Sequence, residues 1–150
     1  MKYSRILLVL IFLTGCSVTQ QTQNANVVIS VQKLPCLGNC PVYKVSIYSN
    51  QLVIYEGKEN VSKTGVYAMK LDKQKFTELQ LAFLQSGFFE MEDVYSAQIM
   101  DLQTTYLYFN YDGKEKKILD YYNSPEVLKD LVKMIEDLNE LYEWEKVDKK

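Results

Sequence analysis

Tyr43-Lys44-Val45-Ser46-Ile47-Tyr48-Ser49-Asn50-Gln51-Leu52-Val53-Ile54-Tyr55 places a polar triplet between two runs rich in β-branched and aromatic residues. That is the pattern of a β-hairpin. A loop of Ser49, Asn50 and Gln51 sets Tyr48 opposite Leu52, Ile47 opposite Val53 and Val45 opposite Tyr55. This register collects Val45, Ile47, Val53 and Tyr55 on one face. A shorter turn opposes Val45 with Glu56 and splits the apolar set, so the longer loop is expected. It requires Gln51 to adopt a left-handed backbone, at a cost of about 1 kcal/mol.

The same reading extends outward. Val27-Val28-Ile29-Ser30-Val31 is a short β-branched strand, and Gly65 to Met69 is another. Asp72 is placed to cap a helix running to about Ser86, with Phe76, Leu79, Phe83 and Leu84 on its apolar stripe. Gly87 suits the position after its C-terminus, where positive φ is common. Thr104 to Tyr111 alternates, with Leu107, Phe109 and Tyr111 on one side. Asp112-Gly113 is a turn signal, and Lys116 to Tyr122 returns as a strand. Ser124-Pro125-Glu126 opens a second helix, with Ser124 expected at the N-cap and Pro125 at the first helical position. Leu128, Leu131, Val132, Ile135, Leu138 and Tyr142 hold helical spacing. Residues 146–150 read as a polar tail. The expected fold is therefore α+β: an antiparallel sheet built from two hairpin-plus-helix units, with both helices on one face. Residues 27–145 form a single domain.

Composition narrows the chemistry. The chain has 150 residues, a net charge of −2, three cysteines and no histidine. Without histidine there is no Ser-His-Asp or Cys-His catalysis and no imidazole metal ligand. Three cysteines are too few for a four-thiolate zinc site. The charge carries no nucleic-acid footprint. No Gly-rich phosphate loop, G-x-S-x-G elbow or EF-hand spacing is present. No cofactor or metal is expected.

Lys2 and Arg5 precede an unbroken apolar run from Ile6 to Leu13. The run falls far short of the ~20 residues that a membrane-spanning helix needs, so it reads as a secretory signal peptide. It ends in Leu13-Thr14-Gly15-Cys16, which resembles the bacterial lipobox. The resemblance implies cleavage after residue 15 and a lipid on Cys16, which ties the protein to a membrane. Residues 16–26 carry no charge and no aromatic side chain, the composition of a flexible tether. Ser17 resembles the residue that sorts lipoproteins of double-membrane bacteria to the outer membrane. The expected location is that membrane, facing the periplasm or the cell surface.

Leu34-Pro35-Cys36-Leu37-Gly38-Asn39-Cys40-Pro41-Val42-Tyr43 lies between the first two strands. In an exported protein two close cysteines are expected to form a disulfide. The chain-entropy estimate for so small a ring is roughly 2 kcal/mol. Two other readings stand beside it. One is thiol redox chemistry, although redox pairs favour C-x-x-C on a helix N-terminus. The other is copper handling, since C-x-x-x-C-P is similar to the metal motif of copper chaperones for cytochrome oxidase. That motif is accompanied there by a distal histidine and a thioredoxin-like fold.

The loop carries a further resemblance. Cys36-Leu37-Gly38-Asn39-Cys40-Pro41-Val42-Tyr43, Ile47-Tyr48, Tyr55-Glu56-Gly57 and Gly65 resemble an uncharacterised bacterial lipoprotein family that has a domain of unknown function. Asp101-Leu102-Gln103-Thr104 and Asp120-Tyr121-Tyr122 ahead of Pro125 add to it. The match covers about residues 27–142. Members often carry Asp-Gly where Asn50-Gln51 stands, and Pro where Gln103 stands. The resemblance implies no catalytic residue.

The remaining candidates are surfaces. Tyr48, Tyr106, Tyr108, Tyr121 and Tyr122 are placed to leave one sheet face partly aromatic, and tyrosine is enriched at interfaces. Asp101, with Glu90, Glu92 and Asp93, belongs to the long irregular connection from Glu90 to Gln103, where functional residues concentrate. The expectation is a lipid-anchored, non-enzymatic binding or accessory module with an envelope protein as partner. In the alternative, the Cys36/Cys40 pair does thiol or copper chemistry. Palmitate is expected to label the wild type in a bacterial host and to leave Cys16→Ala unlabelled.

Overall fold

The computed structural model describes residues 24–98 and 101–147. The signal peptide, Cys16 and the first part of the tether lie outside the described residues. The strands are β1 (Val27–Lys33), β2 (Val42–Tyr48), β3 (Leu52–Glu59), β4 (Gly65–Lys70), β5 (Val94–Tyr95), β6 (Thr105–Tyr111), β7 (Lys114–Asp120) and β8 (Glu145–Lys146). Helix α1 spans Lys73–Gln85, α2 spans Glu126–Glu136, and α3 is a single turn, Leu138–Leu141. The fold is α+β. One sheet runs β5-β7-β6-β1-β2-β3-β4-β8, antiparallel except for the β5–β7 pair.

The first hairpin adopts the expected register, with Ile47 opposite Val53 and Val45 opposite Tyr55. Gln51 has φ 68°, and its N–H donates to Tyr48 O at 2.9 Å. Asn50 Oδ1 accepts from Leu52 N at 3.1 Å, which helps the turn hold the strained residue. β1 then joins the two hairpins, pairing with β2 on one side and β6 on the other. Ile29, Val31, Val45, Ile47, Val53, Leu107, Phe109 and Ile118 point to the same side and are buried.

Both helices cover that side. Asp72 caps α1 by accepting from Lys75 N at 2.8 Å, and Leu79 and Phe83 are fully buried. α1 begins beside β4, where Leu71 N donates to Gln51 O. It ends over β6, where the Phe83 and Phe109 rings lie 5.1 Å apart. Gly87 follows its C-terminus at φ 71°. α2 runs the opposite way, from the end of β7 back to β1 and β2, where Glu136 meets Lys33 and Tyr43.

Several boundaries differ from the sequence reading. β7 starts at Lys114, because Asp112 (φ 49°) and Gly113 (φ 76°) make a two-residue turn that pairs Tyr111 with Lys114. Tyr121 and Tyr122 then fall past the strand's end. Pro125, with ψ 140°, occupies the N-cap of α2 in place of Ser124, and no side chain caps that helix. Asn123 at φ 57° turns the chain off the sheet one residue too early for Ser124 to serve. The second helix breaks at Asp137 and does not run on to Tyr142. Within Glu90 to Gln103, Val94 and Tyr95 form a short parallel edge strand against Leu119 and Asp120. The expected tail also starts too early: Lys146 pairs with Tyr67, and Val147 N donates to Val66 O at 2.8 Å.

β3 and β4 approach closely where Gly57 faces their connecting loop. A Cβ at Gly57 stands 1.9 Å from Lys63 O, a backbone atom. Gly57→Ala is expected to destabilise the domain by about 3 kcal/mol, read as a lower denaturant midpoint. An unchanged midpoint refutes this account of the glycine.

Candidate functional site

The link between β1 and β2 is built as a closed ring with a fastened neck. Cys36 and Cys40 form a disulfide, with Cα atoms 5.8 Å apart. Pro35 and Pro41 flank it. Gln103 Nε2 donates to Leu34 O at 2.8 Å and to Pro41 O at 2.6 Å, so one amide bridges the two sides of the neck. Leu34 N donates to Thr104 O at 2.9 Å, and Asn60 Nδ2 donates to Cys40 O at 3.1 Å. Gly38 N–H points at Cys36 Sγ, 3.2 Å away. Leu37 projects from the ring with 83% of its surface exposed.

Tyr43 enters the core two residues beyond Pro41. Its ring stacks on Tyr55 at 5.7 Å, and Tyr55 meets the edges of Tyr67 and Trp144 at 6.4 Å and 5.9 Å. Tyr43 OH donates to Glu136 Oε1, which also receives Lys33 Nζ at 2.6 Å. Burial, and then the Glu136 carboxylate, push the Tyr43 phenol far above its ordinary value of 10.0. This trio fastens the end of α2 to the strands that carry the ring.

The sequence-predicted tyrosines do not form one site. Tyr48, Tyr106 and Tyr108 share the face of the sheet opposite the helices. Tyr48 helps cover a small buried cluster of Leu52, Ile54 and Ala68, and burial raises its phenol above the ordinary value. Tyr106 and Tyr108 stand together on β6, beside Gln32 and Ser30 of β1. Lys117 Nζ sits 3.9 Å from the Tyr106 ring centre, a cation–π contact. Tyr108 OH donates to Glu115 Oε2 at 2.8 Å and accepts from Asn110 Nδ2 at 3.3 Å. Tyr121 lies beyond β7, with its N–H on Tyr95 O at 2.9 Å. Asp101 is exposed at φ 79° in the connection leading to the ring's neck. Of the acidic residues in that connection, Asp93 is paired with Lys116 at 2.8 Å, and the same ammonium holds the Met91 carbonyl. Among the described residues no group of three or more Cys, Asp or Glu is placed to hold a metal ion.

The ring, the Tyr43 corner and Gly57 place the resemblance residues Cys36 to Tyr43 and Tyr55-Glu56-Gly57 in one connected region. The family model of a domain of unknown function, DUF6438, matches residues 27–139. The chain belongs to the DUF6438 family. No curated protein and no solved structure matches it. In this DUF6438 domain the role of Gln103 was not visible from sequence. Its amide closes a neck formed by residues more than sixty positions away, and no local pattern signals that. The exposure of Leu37 was also missed, because a lone leucine between cysteines reads equally well as buried.

Tyr43→Phe is expected to lower stability by about 1–2 kcal/mol at neutral pH, since it removes one hydrogen bond to a carboxylate. The neutral phenol is the form favoured by folding. Its contribution is therefore complete below pH 10 and falls as pH rises toward the raised native value. The variant's stability should accordingly lose less than the wild type's between pH 9 and about 11, as read by denaturant titration. Parallel curves refute the assignment.

Proposed function

We propose that this DUF6438 protein is a lipid-anchored, non-enzymatic binding or accessory module of the bacterial cell envelope. Residues 1–15 direct export, lipid on Cys16 holds the chain to the outer membrane, and residues 16–26 are the tether. One observation supports the binding role above the others. The face of the sheet away from the helices carries Tyr106 and Tyr108 in a polar setting of Ser30, Gln32, Lys44, Asn110 and Lys117, while among the described residues α1 and α2 pack on the other face. Aromatic rings that combine apolar area with hydrogen-bonding tips are effective contact residues. Among the described residues no helix is long and apolar enough to cross a membrane.

A second reading, thiol chemistry at Cys36 and Cys40, has one specific observation in its favour. The Gly38 N–H aimed at Cys36 Sγ would favour a thiolate there. Serine at both positions discriminates. The binding reading expects partner capture to persist with a stability loss of about 2 kcal/mol. The thiol reading expects function to vanish while the fold survives.

The test of the binding reading is in-cell photo-cross-linking of the full chain from position 108, with position 77 on α1 as control. An envelope protein should be captured from position 108 and not from position 77. Equal capture from both positions, or none, overturns the assignment of this face.

A further inference from the structure

We propose that the Cys36–Cys40 ring is a preorganised docking knob, whose Leu37 side chain enters an apolar, uncharged pocket on a folded envelope protein on the side away from the lipid anchor. The proposal rests on the anchored reading above and adds a second contact, separate from the tyrosine face.

Leu37 is 83% exposed, more than Leu141 at 64% or Val94 at 56%. A single exposed apolar residue means little on a mobile loop. Here the display is rigid. The disulfide closes the ring, prolines flank it, and Gln103 and Asn60 hold carbonyls of its neck with three hydrogen bonds. Ordering a loop on binding costs affinity, and a loop ordered in advance avoids that cost. Gln103 also brings the chain next to Leu102, which is 40% exposed, to the ring's base.

Charge narrows the partner's chemistry. Residues 34–42 contain no charged side chain in a chain that is 24% charged. An uncharged knob fits an apolar pocket lined with backbone or amide partners, and it gains nothing from a charged groove.

Position separates a protein from the bilayer as occupant. The chain enters the domain at Asn26, which exchanges hydrogen bonds with Ser49 at the hairpin turn. The ring follows Lys33, at the far end of β1, ~24 Å away at 3.4 Å per residue. Ten residues, Ser17 to Asn26, separate the proposed lipid site from this entry point. The ring is therefore carried beyond the entry point by a further strand length, at the end of the sheet opposite the tether.

The test uses the full-length protein in cells. A photo-reactive benzoyl-phenylalanine replaces Asn39, beside an intact Leu37, and adducts are identified by mass spectrometry. One adduct with a different envelope protein is expected. Its yield should fall about tenfold in Leu37→Ala and further in Leu37→Asp, as expected for losing a buried leucine. Gln103→Ala, which loosens the neck and keeps the leucine, should lower the yield by a smaller factor. Alkylation that finds Cys36 and Cys40 still bonded, with cooperative thermal unfolding retained, shows that these variants fold. An adduct of twice the chain's mass assigns the ring to a second copy and overturns the proposal, as does a lipid adduct. No adduct, or a yield unaffected by Leu37→Asp, also overturns it. Capture from position 108 that persists when position 39 gives none removes the knob and leaves the anchored binding module intact.

Discussion

Ile29 and Val31 are fully buried because β1 is hydrogen-bonded on both sides and roofed by helices. Everything else depends on that strand. Its pairing with β2 attaches the first hairpin and its pairing with β6 attaches the second, so one strand turns two hairpin-plus-helix units into one sheet. The side chains at its centre meet Val45 and Ile47 on one flank and Leu107 and Phe109 on the other. Phe109 then collects Phe83, Phe88 and Phe89 at 5.1–6.0 Å, which locks α1 and the 3-10 turn Phe88–Glu90 onto the second hairpin. An apolar face shared by three adjacent strands is buried only if all three keep register. That is why a slip by one residue is so costly here.

The disulfide ring inherits its position from the same strand. It is the connection from β1 to β2, and its clamp, Gln103, precedes β6, the other neighbour of β1. The three strands that meet in the core thus also meet at the ring's neck. Tyr43, Glu136 and Lys33 fasten the neighbouring end of α2 to β1 and β2. Polar side chains that in isolation look reactive are here engaged in holding a corner. Among the features that face outward are an exposed leucine at one end of the sheet and a polar, tyrosine-bearing face on the side away from the helices.

Edge strands show where local patterns stopped being informative. Val94–Tyr95 and Glu145–Lys146 are only two residues each, too short for alternation to register. Each exists because a longer strand offers unpaired backbone groups beside it. Lys114-Glu115-Lys116-Lys117 alternates weakly for another reason. It lies toward the sheet's edge, and charge there discourages pairing with other chains. Lys116 nevertheless turns inward to Asp93 and the Met91 carbonyl, a contact that charge alone does not reveal.

What the amino-acid order by itself determined is whatever depends on near neighbours. The hairpin register with Gln51 left-handed, the Asp72 cap, the Gly87 terminus, the apolar stripes of both helices and the α+β class follow from periods of 2 and 3.6 and from turn chemistry. Only the tertiary structure decided the rest. It put β1 in the middle of the sheet, sent Tyr48 to cover a small cluster while Tyr106 and Tyr108 stand together, and brought Gln103 to the ring. Those outcomes join residues tens of positions apart. Their energies come from burying shared surface and satisfying distant backbone groups, and they exist only once the chain has closed on itself.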